Sequence, residues 1–372
     1  MDTEHLARAV LKRLGSYRYH RHHASQVRSV LSTLQEKYGK MNPAHIKLAD
    51  AYAHDVLGHA RYAPWLYVYS AVSGVFKEGW IPDNYYGSVV VPAIKGGYGK
   101  MSDFRCLQSA IFGSAAFPDL AYFVNGLFLT PDNTPIAPHS VKQLLFADRD
   151  EIVFKVDNSL QGRGVFFFQR DSFDLQKVEA LGNGVFQERI VQHEVLNRFA
   201  PGSVATLRMT TAVDHNGQIA LRACYLRLGR AEDTHVQSKS QVRVAVDLAS
   251  GELAREGYLT NWLTVPAHPD TNVEFSGTQI PAFAQCVAMV LAHHRKIPLA
   301  RSVGWDVAIG HDEAVKLMEW NAAHNDIKFS EATQGPCFTD LRWDRFARER
   351  RPNAATGLLE TASTHGDLGS IR

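Results

Sequence analysis

One stretch, residues 303–326, constrains the fold more than any other part of the sequence. Its first seven residues alternate large apolar side chains with Asp306 and two small residues, which is the period-two pattern of a strand with two distinct faces. The turn residues Gly310–Glu313 and a second apolar run then follow at hairpin distance. The sequence therefore predicts two paired strands, Val303–Ile309 and Ala314–Trp320.

The end of this hairpin carries side chains with oxygen atoms. Glu319 and Asn321 are two residues apart, so they lie on the same face of the second strand, and Asp306 on the first strand can lie opposite them. Two carboxylates and an amide oxygen form the donor set that Mg²⁺ prefers, with nucleotide phosphates and water completing the shell. These residues alone leave a second interpretation open, in which they are ordinary exposed groups at strand ends.

Length and composition bound the class of protein. The chain has 372 residues, which is room for two or three domains, and its 45% apolar and 21% charged residues are typical of globular proteins. A formal net charge of +2 gives no strong overall field, and no apolar run reaches the length of a membrane span. Residues 1–21 are too polar for a secretory signal. We therefore expect a cytoplasmic protein with no membrane span and no nucleic-acid partner.

Cysteine and histidine spacing argues against two kinds of site. The cysteines occur without any CxxC pair, which favours reduced thiols; they are Cys106, Cys224, Cys286 and Cys337. The 17 histidines form no HExxH or comparable ligand spacing, so a zinc site has little support.

The first 40 residues are basic, with eight Lys or Arg against three acids. This charge can bind nucleic acid or an anionic surface. However, helical spacing of apolar side chains from Val27 to Tyr38 predicts a packed face, and the cations are then more simply its solvated side. We expect residues 1–95 to be a mainly helical accessory segment, with one short strand at Val89–Val91.

Two lysines and a glycine-containing loop suit the phosphates of a nucleotide. Lys100 lies at the entry of a predicted helix, and Lys155 ends a predicted strand. The loop that follows contains Gly162 and Gly164, which can bring backbone amides close to an anion. A purely structural hairpin loop explains the same pattern equally well.

Further along, the segment Val185–Ile190 alternates apolar and polar groups and offers an edge to a flat base, with His193 or Glu194 in reach of a ribose. The alternative is a plain strand leading into a loop. From Val204 onwards the pattern is β, and it places Arg208 on one strand and Arg227 on the next. Lys239 and Arg243 follow. Several cations near an acidic site favour an anionic ligand, although each one alone is more simply a surface cation.

The ordered set of these motifs resembles the ATP-grasp superfamily, and more closely its sugar-transfer-associated, or α-L-glutamate-ligase-like, branch. The segments that carry the resemblance are GWIPDNYY, VATLRMTT, AHPDTNVEFSGTQIP, VGWDVAI and LMEWNAAHND, and together they extend from roughly Trp80 to Phe338. The resemblance implies an α+β fold in which two antiparallel β layers clasp ATP, behind a mainly helical N-terminal segment. We expect this ATP-grasp domain over 96–345, its lid over 145–190, and a mobile tail over 346–372.

The resemblance also implies a role for each matching residue. The residues implied for the ATP phosphates are Lys100, Lys155, Gly162, Arg163 and Gly164. Those implied for adenine and ribose are Gln187, Glu188, Ile190, His193 and Glu194. Those implied for magnesium are Asp306, Glu319 and Asn321. Arg208 is implied to contact the transferred phosphate, and Arg208 and Lys155 are the implied catalytic residues.

The family chemistry is ATP-dependent activation of a carboxylate to an acyl phosphate, followed by attack of an amine to give an amide, ADP and phosphate. The resemblance extends this to a carboxylate derived from a cell-surface sugar or an amino acid, in polysaccharide biosynthesis. One departure bears on the acceptor: residues 234–244 read THVQSKSQVRV, where the branch commonly has an Asp-Asn pair and two glycines. We therefore predict that Arg227, Lys239 and Arg243 orient an anionic acid substrate.

Three functions stay open at the level of sequence. A ligase and an ATP-grasp kinase that phosphorylates a hydroxyl use the same residues. A non-catalytic nucleotide-binding scaffold is the third, although the intact set of charged residues argues against it. Whether the chain forms a homo-oligomer is not predicted by any of these patterns.

Overall fold

The computed structural model describes residues 3–157, 164–230, 233–237 and 239–349. It is an α+β structure with two antiparallel sheets behind a helical N-terminal segment. In the part of the chain that is described, no helix is both long enough and apolar enough to cross a membrane.

The N-terminal segment is built on three main helices, α1 (Thr3–Tyr38), α2 (Pro43–Asp55) and α3 (Ala63–Ser73). Helix α2 begins at Asn42, whose side chain accepts a hydrogen bond from the backbone of the first turn, and α3 ends at Gly74 in the left-handed conformation that glycine favours. The predicted packed face of α1 is confirmed at Val27 and Leu34, which are buried, whereas Tyr38 is exposed.

Short helical pieces connect this segment to the sheets. They are α4 (Asp83–Tyr85), a π-helical turn (Tyr86–Val90), α5 (Val91–Ile94) and, after two 3₁₀ turns, α6 (Gln108–Phe112). The predicted strand at Val89–Val91 is therefore wrong. Three consecutive valines have a high strand propensity, but here Val90 is fully buried in a helical turn against the aromatic core of the N-terminal segment, and tertiary packing overrides the propensity.

The first sheet has six strands in the order β3-β2-β1-β6-β4-β5, and every pair in it is antiparallel. Its strands are β1 (Asp119–Val124), β2 (Leu127–Leu129), β3 (Pro135–Ile136), β4 (Glu151–Val156), β5 (Val165–Gln169) and β6 (Gly184–Glu188). Helices α7 (Pro138–Leu145) and α8 (Leu175–Leu181) belong to the same layer. A phenylalanine-rich core holds these elements together.

The second sheet has seven strands in the order β11-β10-β9-β8-β7-β12-β13. Its strands are β7 (Thr206–Val213), β8 (Ile219–Leu228), β9 (Val242–Val246), β10 (Leu253–Tyr258), β11 (Thr264–Val265), β12 (Ser302–Ile309) and β13 (Val315–Asn321). A short helix, α9 (Glu194–Asn197), precedes it. The last two strands confirm the predicted hairpin within one residue at each end.

The two faces of the second sheet differ in character. Helix α10 (Phe283–His294) packs against one face, where alternate residues such as Leu207 and Trp305 form the largest apolar core. The alternate residues on the other face are polar, because a strand directs successive side chains to opposite sides. Helix α11 (Lys328–Thr333) lies between the sheet and α3, and α12 (Phe346–Glu349) ends the described chain.

Candidate active site

The polar face of the second sheet is organised by its strand register. Asp306 on β12 is paired with Arg208 on β7 and with Glu319 on β13, and Gly304 is paired with Asn321. Residues that are directly opposite in an antiparallel pair share a face, so Arg208, Asp306, Glu319 and Asn321 lie on one surface. Asp306, Glu319 and Asn321 therefore share one face of the sheet, as the sequence predicts.

Asp306 is buried and accepts hydrogen bonds on both carboxylate oxygens. Arg208 donates from Nε to Oδ1 at 2.5 Å and from Nη2 to Oδ2 at 3.0 Å, and Arg227 donates from Nη1 to Oδ2 at 3.0 Å. Burial pushes the pKa of Asp306 upwards, but the two guanidinium groups outweigh it and hold that pKa below its ordinary value. The carboxylate therefore stays ionised and fixes the positions of both arginines.

Glu319 and Asn321 are more open. Glu319 forms an ion pair with Arg105 through Oε1 at 3.1 Å, and 40% of its side chain is exposed. Asn321 uses its amide nitrogen, which lies 3.5 Å from the backbone oxygen of Gly304. Among the described residues, neither Glu319 Oε2 nor Asn321 Oδ1 accepts a hydrogen bond, so both oxygens are available to a ligand or metal ion.

A metal ion at this site would rely on these oxygens. No group of three or more His, Cys, Asp or Glu side chains in the described ranges is arranged to hold one. The mixed set of Glu319, Asn321 and Asp306 has the hard oxygen chemistry that magnesium requires. Glu319 and Asn321 each have an oxygen that a metal ion could bind directly. Asp306 could coordinate the ion only through oxygens that already accept hydrogen bonds from Arg208 and Arg227.

The first sheet contributes a cation that faces the polar side chains of the second sheet. Lys155 on β4 directs its Nζ towards β13, 3.4 Å from the backbone oxygen of Met318. Burial lowers the pKa of Lys155 to about 8, although the charge of Glu319 acts in the other direction. Arg105 bridges the same two strands, because it donates to the backbone oxygen of Val156 at 2.7 Å as well as to Glu319. The two sheets therefore meet around Glu319, and the cluster of charged side chains at this junction is called the cationic crevice: Lys155, Arg105, Arg208, Arg227, Asp306 and Glu319.

The other predicted phosphate contacts are distributed differently. Lys100 is exposed in a 3₁₀ turn. Gly164 lies in the turn immediately before β5, whereas Gly162 and Arg163 fall outside the described residues. Lys95 is the buried lysine of this region, and its Nζ donates to Asn325 Oδ1 at 2.9 Å. Burial holds the pKa of Lys95 well below its ordinary value.

The residues predicted for adenine and ribose lie where the chain passes from the first sheet to the second. Gln187 is buried on β6, and its Nε2 donates to Asp119 at 2.7 Å, while Glu188 ends that strand with an exposed side chain. Beyond Ile190, which is partly exposed, His193 accepts a hydrogen bond from the backbone of Val195 and so begins α9. Glu194, the first residue of that helix, is exposed.

The three cations predicted for the acid substrate separate into two groups. Arg227 and Arg243 are paired across β8 and β9 on the polar face. Arg243 is buried, with its guanidinium carbon 4.8 Å from the ring centre of Trp262 and 4.6 Å from that of Phe329, and its Nε has no hydrogen-bond partner among the described residues. Burial lowers its pKa. Lys239 is exposed in the turn before β9.

Three residues of the site were not predicted from the sequence. Arg105 contacts Glu319, Gln241 accepts a hydrogen bond from Arg227 Nε at 2.8 Å, and the backbone oxygen of Asn325 lies 3.4 Å from Arg208 Nη1. Asn325 belongs to the segment LMEWNAAHND that carried the resemblance, so its position close behind Asn321 was a usable signal. Arg105 and Gln241 have no such local signal.

Comparison with known proteins finds a family match over part of the chain. No curated protein matches the sequence. Similar solved structures include the biotin carboxylase domain of 2-oxoglutarate carboxylase from Hydrogenobacter thermophilus with MgADP and bicarbonate, at 10% identity and a TM-score of 0.42 over 68% of this chain and 47% of that chain. Another is N5-carboxyaminoimidazole synthetase from Staphylococcus aureus with ADP, at 12% identity and a TM-score of 0.43 over 68% and 53%.

A third is the ATP-grasp ligase PsnB with its minimal precursor, Mg and ADP, at 12% identity and a TM-score of 0.36 over 69% and 62%. The chain thus spans about half the length of the first two. Residues 175–341 match the family described as sugar-transfer associated ATP-grasp. This region contains the whole second sheet with Arg208, Asp306 and Glu319. The similarity to the sugar-transfer associated ATP-grasp family is therefore carried by this C-terminal part of the chain.

Proposed function

We propose that this protein is an ATP-dependent carboxylate–amine ligase that works through an acyl phosphate. The observation that carries the proposal is the crevice itself, in which Arg208 and Arg227 are held on Asp306 while Lys155 approaches from the other sheet. A phosphoryl group in transfer needs neutralisation of its charge and alignment of its partners more than it needs a nucleophilic side chain. The cations of this crevice, supported by the family match, meet that need.

ATP and Mg²⁺ are the proposed cofactors. Lys155 and Lys100 would bind the phosphates, together with the glycine segment 162–164, and residues 187–194 would hold the base and ribose. Glu319 and Asn321 would hold the metal directly, with Asp306 as a shared ligand. When bound, the metal would supply neutralisation of the charge on the phosphate oxygens.

The proposed chemistry has two steps. A carboxylate oxygen of the acid attacks the terminal phosphorus of ATP, the bond to the bridging oxygen breaks, and ADP leaves. An amine then attacks the carbonyl carbon of the acyl phosphate, phosphate departs with the original carboxylate oxygen, and the amine loses a proton. In both steps Arg208 would stabilise the transferred phosphate. Asp306 would keep this guanidinium fixed, so that it does not reorganise during the reaction.

The acid substrate is proposed to be anionic beyond its reacting carboxylate, as in an acidic sugar or acidic amino acid. Arg227 and Arg243 are paired on the polar face and would lie beside the transferred phosphate. The Nε of Arg243, which has no partner among the described residues, is a buried donor that an anion can satisfy. Lys239 would act from the turn at the entrance. A carboxylate derived from a cell-surface sugar, within polysaccharide biosynthesis, fits this requirement. A cytoplasmic location and the division into residues 1–95 and 96–345 are part of the same proposal.

Trapping with hydroxylamine tests the proposal. The protein is incubated with ATP, Mg²⁺, hydroxylamine and a panel of candidate acids, because an acyl phosphate reacts with hydroxylamine to give a detectable hydroxamate. We expect a hydroxamate with one class of acid, dependent on Mg²⁺, and lost in Glu319→Gln. The matched control is Glu256→Gln, which changes an exposed acid on β10 of the same sheet and should leave the signal unchanged.

Transfer of phosphate to a hydroxyl without any hydroxamate would instead identify a kinase. Binding of ATP without turnover on any substrate would support a scaffold.

A further inference from the structure

The described side chains of helix α1 between residues 10 and 18 are exposed. Four large apolar side chains in one short stretch are open to solvent: Val10 at 47%, Leu11 at 67%, Leu14 at 49% and Tyr17 at 63% exposed. Single exposed apolar side chains are normal on a protein surface, but a cluster on consecutive turns of one helix indicates an interaction surface.

Among the described side chains of α1, hydrogen bonds to the body are found further along the helix. His20 Nδ1 lies 3.2 Å from Asn84 Nδ2, and His23 Nδ1 accepts a hydrogen bond from Trp65 Nε1 at 2.9 Å. At roughly 1.5 Å rise per residue, the part of α1 before Tyr19 extends about 24 Å. We call this part, residues 3–18, the basic arm.

The apolar side chains of the basic arm share one side of the helix. Positions 10, 14 and 17 follow the spacing of a single helical face, and Leu11 lies next to them. Arg13 is exposed beside this stripe, and the exposed Arg18, four residues after Leu14, continues the same face at its C-terminal end. Their aliphatic stems can lie along an apolar layer while the guanidinium groups reach polar surroundings.

Apart from Glu4 at its start, the charged residues of the basic arm are all cationic. From position 5 to position 35 the sequence contains six Lys or Arg and no Asp or Glu. An apolar face with uniformly basic flanks is the pattern of a helix that lies in the interface of an anionic bilayer. We propose that the basic arm binds the surface of a membrane containing anionic phospholipids, with Val10, Leu11, Leu14 and Tyr17 at the level of the acyl boundary.

Other occupants fit these residues less well. A nucleic acid would neutralise the arginines but would leave the apolar stripe in water. A second copy of the arm would cover the stripe but would bring two helices of net positive charge together, which costs electrostatic free energy. An anionic lipid surface satisfies the stripe and the charge together.

Vesicle co-sedimentation of the full chain tests this proposal. Vesicles of phosphatidylcholine alone are compared with vesicles containing one-third phosphatidylglycerol. We expect binding to the anionic vesicles that weakens as salt rises. Leu11→Ser combined with Leu14→Ser should lower the partition coefficient about tenfold or more, and Arg13→Glu combined with Arg18→Glu should do the same for anionic vesicles.

The matched control is Leu48→Ser on α2, which removes another half-exposed leucine outside the arm and should leave vesicle binding unchanged. Equal binding to neutral and anionic vesicles, or binding that neither double variant changes, would overturn the proposal. So would dimerisation lost in the leucine variant without vesicle binding, or duplex DNA binding that depends only on the arginines. No ATP or acid is present, so the outcome is independent of the proposed ligase activity.

Discussion

Replacing Lys155 with methionine tests the crevice most selectively. The ammonium group of Lys155 has one hydrogen-bond partner among the described residues, the backbone oxygen of Met318 at 3.4 Å, so it has donors left for a phosphate. Methionine keeps much of the volume and removes the charge. The lost contact is a charged hydrogen bond worth about 1.5–3 kcal/mol, which corresponds to about 10- to 150-fold weaker binding of ATP.

The pH dependence gives a second, independent signature. Because burial lowers the pKa of Lys155 to about 8, its ammonium group in the free protein loses its proton as the pH rises through that value. Phosphate binding favours the charged form, so the affinity of the wild type for ATP should fall above about pH 8. The Lys155→Met variant should lack this change.

Isothermal titration calorimetry with a non-hydrolysable ATP analogue and Mg²⁺, at about pH 7 and about pH 9, measures both effects. The matched control is Lys177→Met, an exposed lysine on α8 of the same layer, which should bind as the wild type does at both pH values. If Lys155→Met binds the nucleotide with unchanged affinity, Lys155 is a structural or surface lysine and the phosphate assignment fails.

Three further predictions follow from the same face of the sheet and from its neighbours. Glu319→Gln and Asp306→Asn should each abolish Mg²⁺-dependent ADP release. Asp306→Asn should also lose about 3 kcal/mol of unfolding free energy, measured by urea denaturation, because it weakens a buried ion pair, whereas Glu319→Gln should leave the fold intact. Normal turnover in either folded variant would remove the metal assignment. Arg227→Ala should raise KM for the acid or lower kcat while leaving ATP binding nearly unchanged, and Lys239→Ala at the exposed turn should do so to a smaller extent. Wild-type kinetics in both variants would contradict the proposal that the acid substrate is anionic beyond its reacting carboxylate. Burial raises the pKa of Glu331 to about 7, so the unfolding free energy should fall by about 3 kcal/mol as the pH rises from about 4.5 to about 7. The Glu331→Gln variant should lack this fall. Identical pH profiles of the wild type and the variant in urea denaturation would refute the prediction.

The second sheet was largely predictable because its information is local. The alternation of apolar and polar residues in Val303–Ile309 specifies a two-faced strand, and the two-residue spacing of Glu319 and Asn321 puts them on one face whatever the surrounding structure. The hairpin turn between the strands then places Asp306 opposite Glu319. The resemblance to the sugar-transfer-associated branch used the same segments and is confirmed over residues 175–341.

The rest of the site depends on contacts between residues far apart in the sequence. Spacing alone does not show that both oxygens of Asp306 are engaged by arginines from two other strands, or that Arg105 reaches Glu319. A glycine-rich turn likewise does not reveal which of its lysines is buried, and it is Lys95 rather than Lys100. The strand predicted at Val89–Val91 failed for the same reason, because packing against a distant core decided its conformation.

Isotope transfer from the acid substrate tests the central claim most directly. Once hydroxamate trapping has identified the acid, its carboxylate is labelled with ¹⁸O and the complete reaction is run with ATP, Mg²⁺ and the amine. An acyl-phosphate ligase moves one labelled oxygen from the carboxylate to the released phosphate, so mass spectrometry of the phosphate should show one ¹⁸O atom per turnover. Unlabelled phosphate would contradict the acyl phosphate and with it the assignment of this crevice to carboxylate activation.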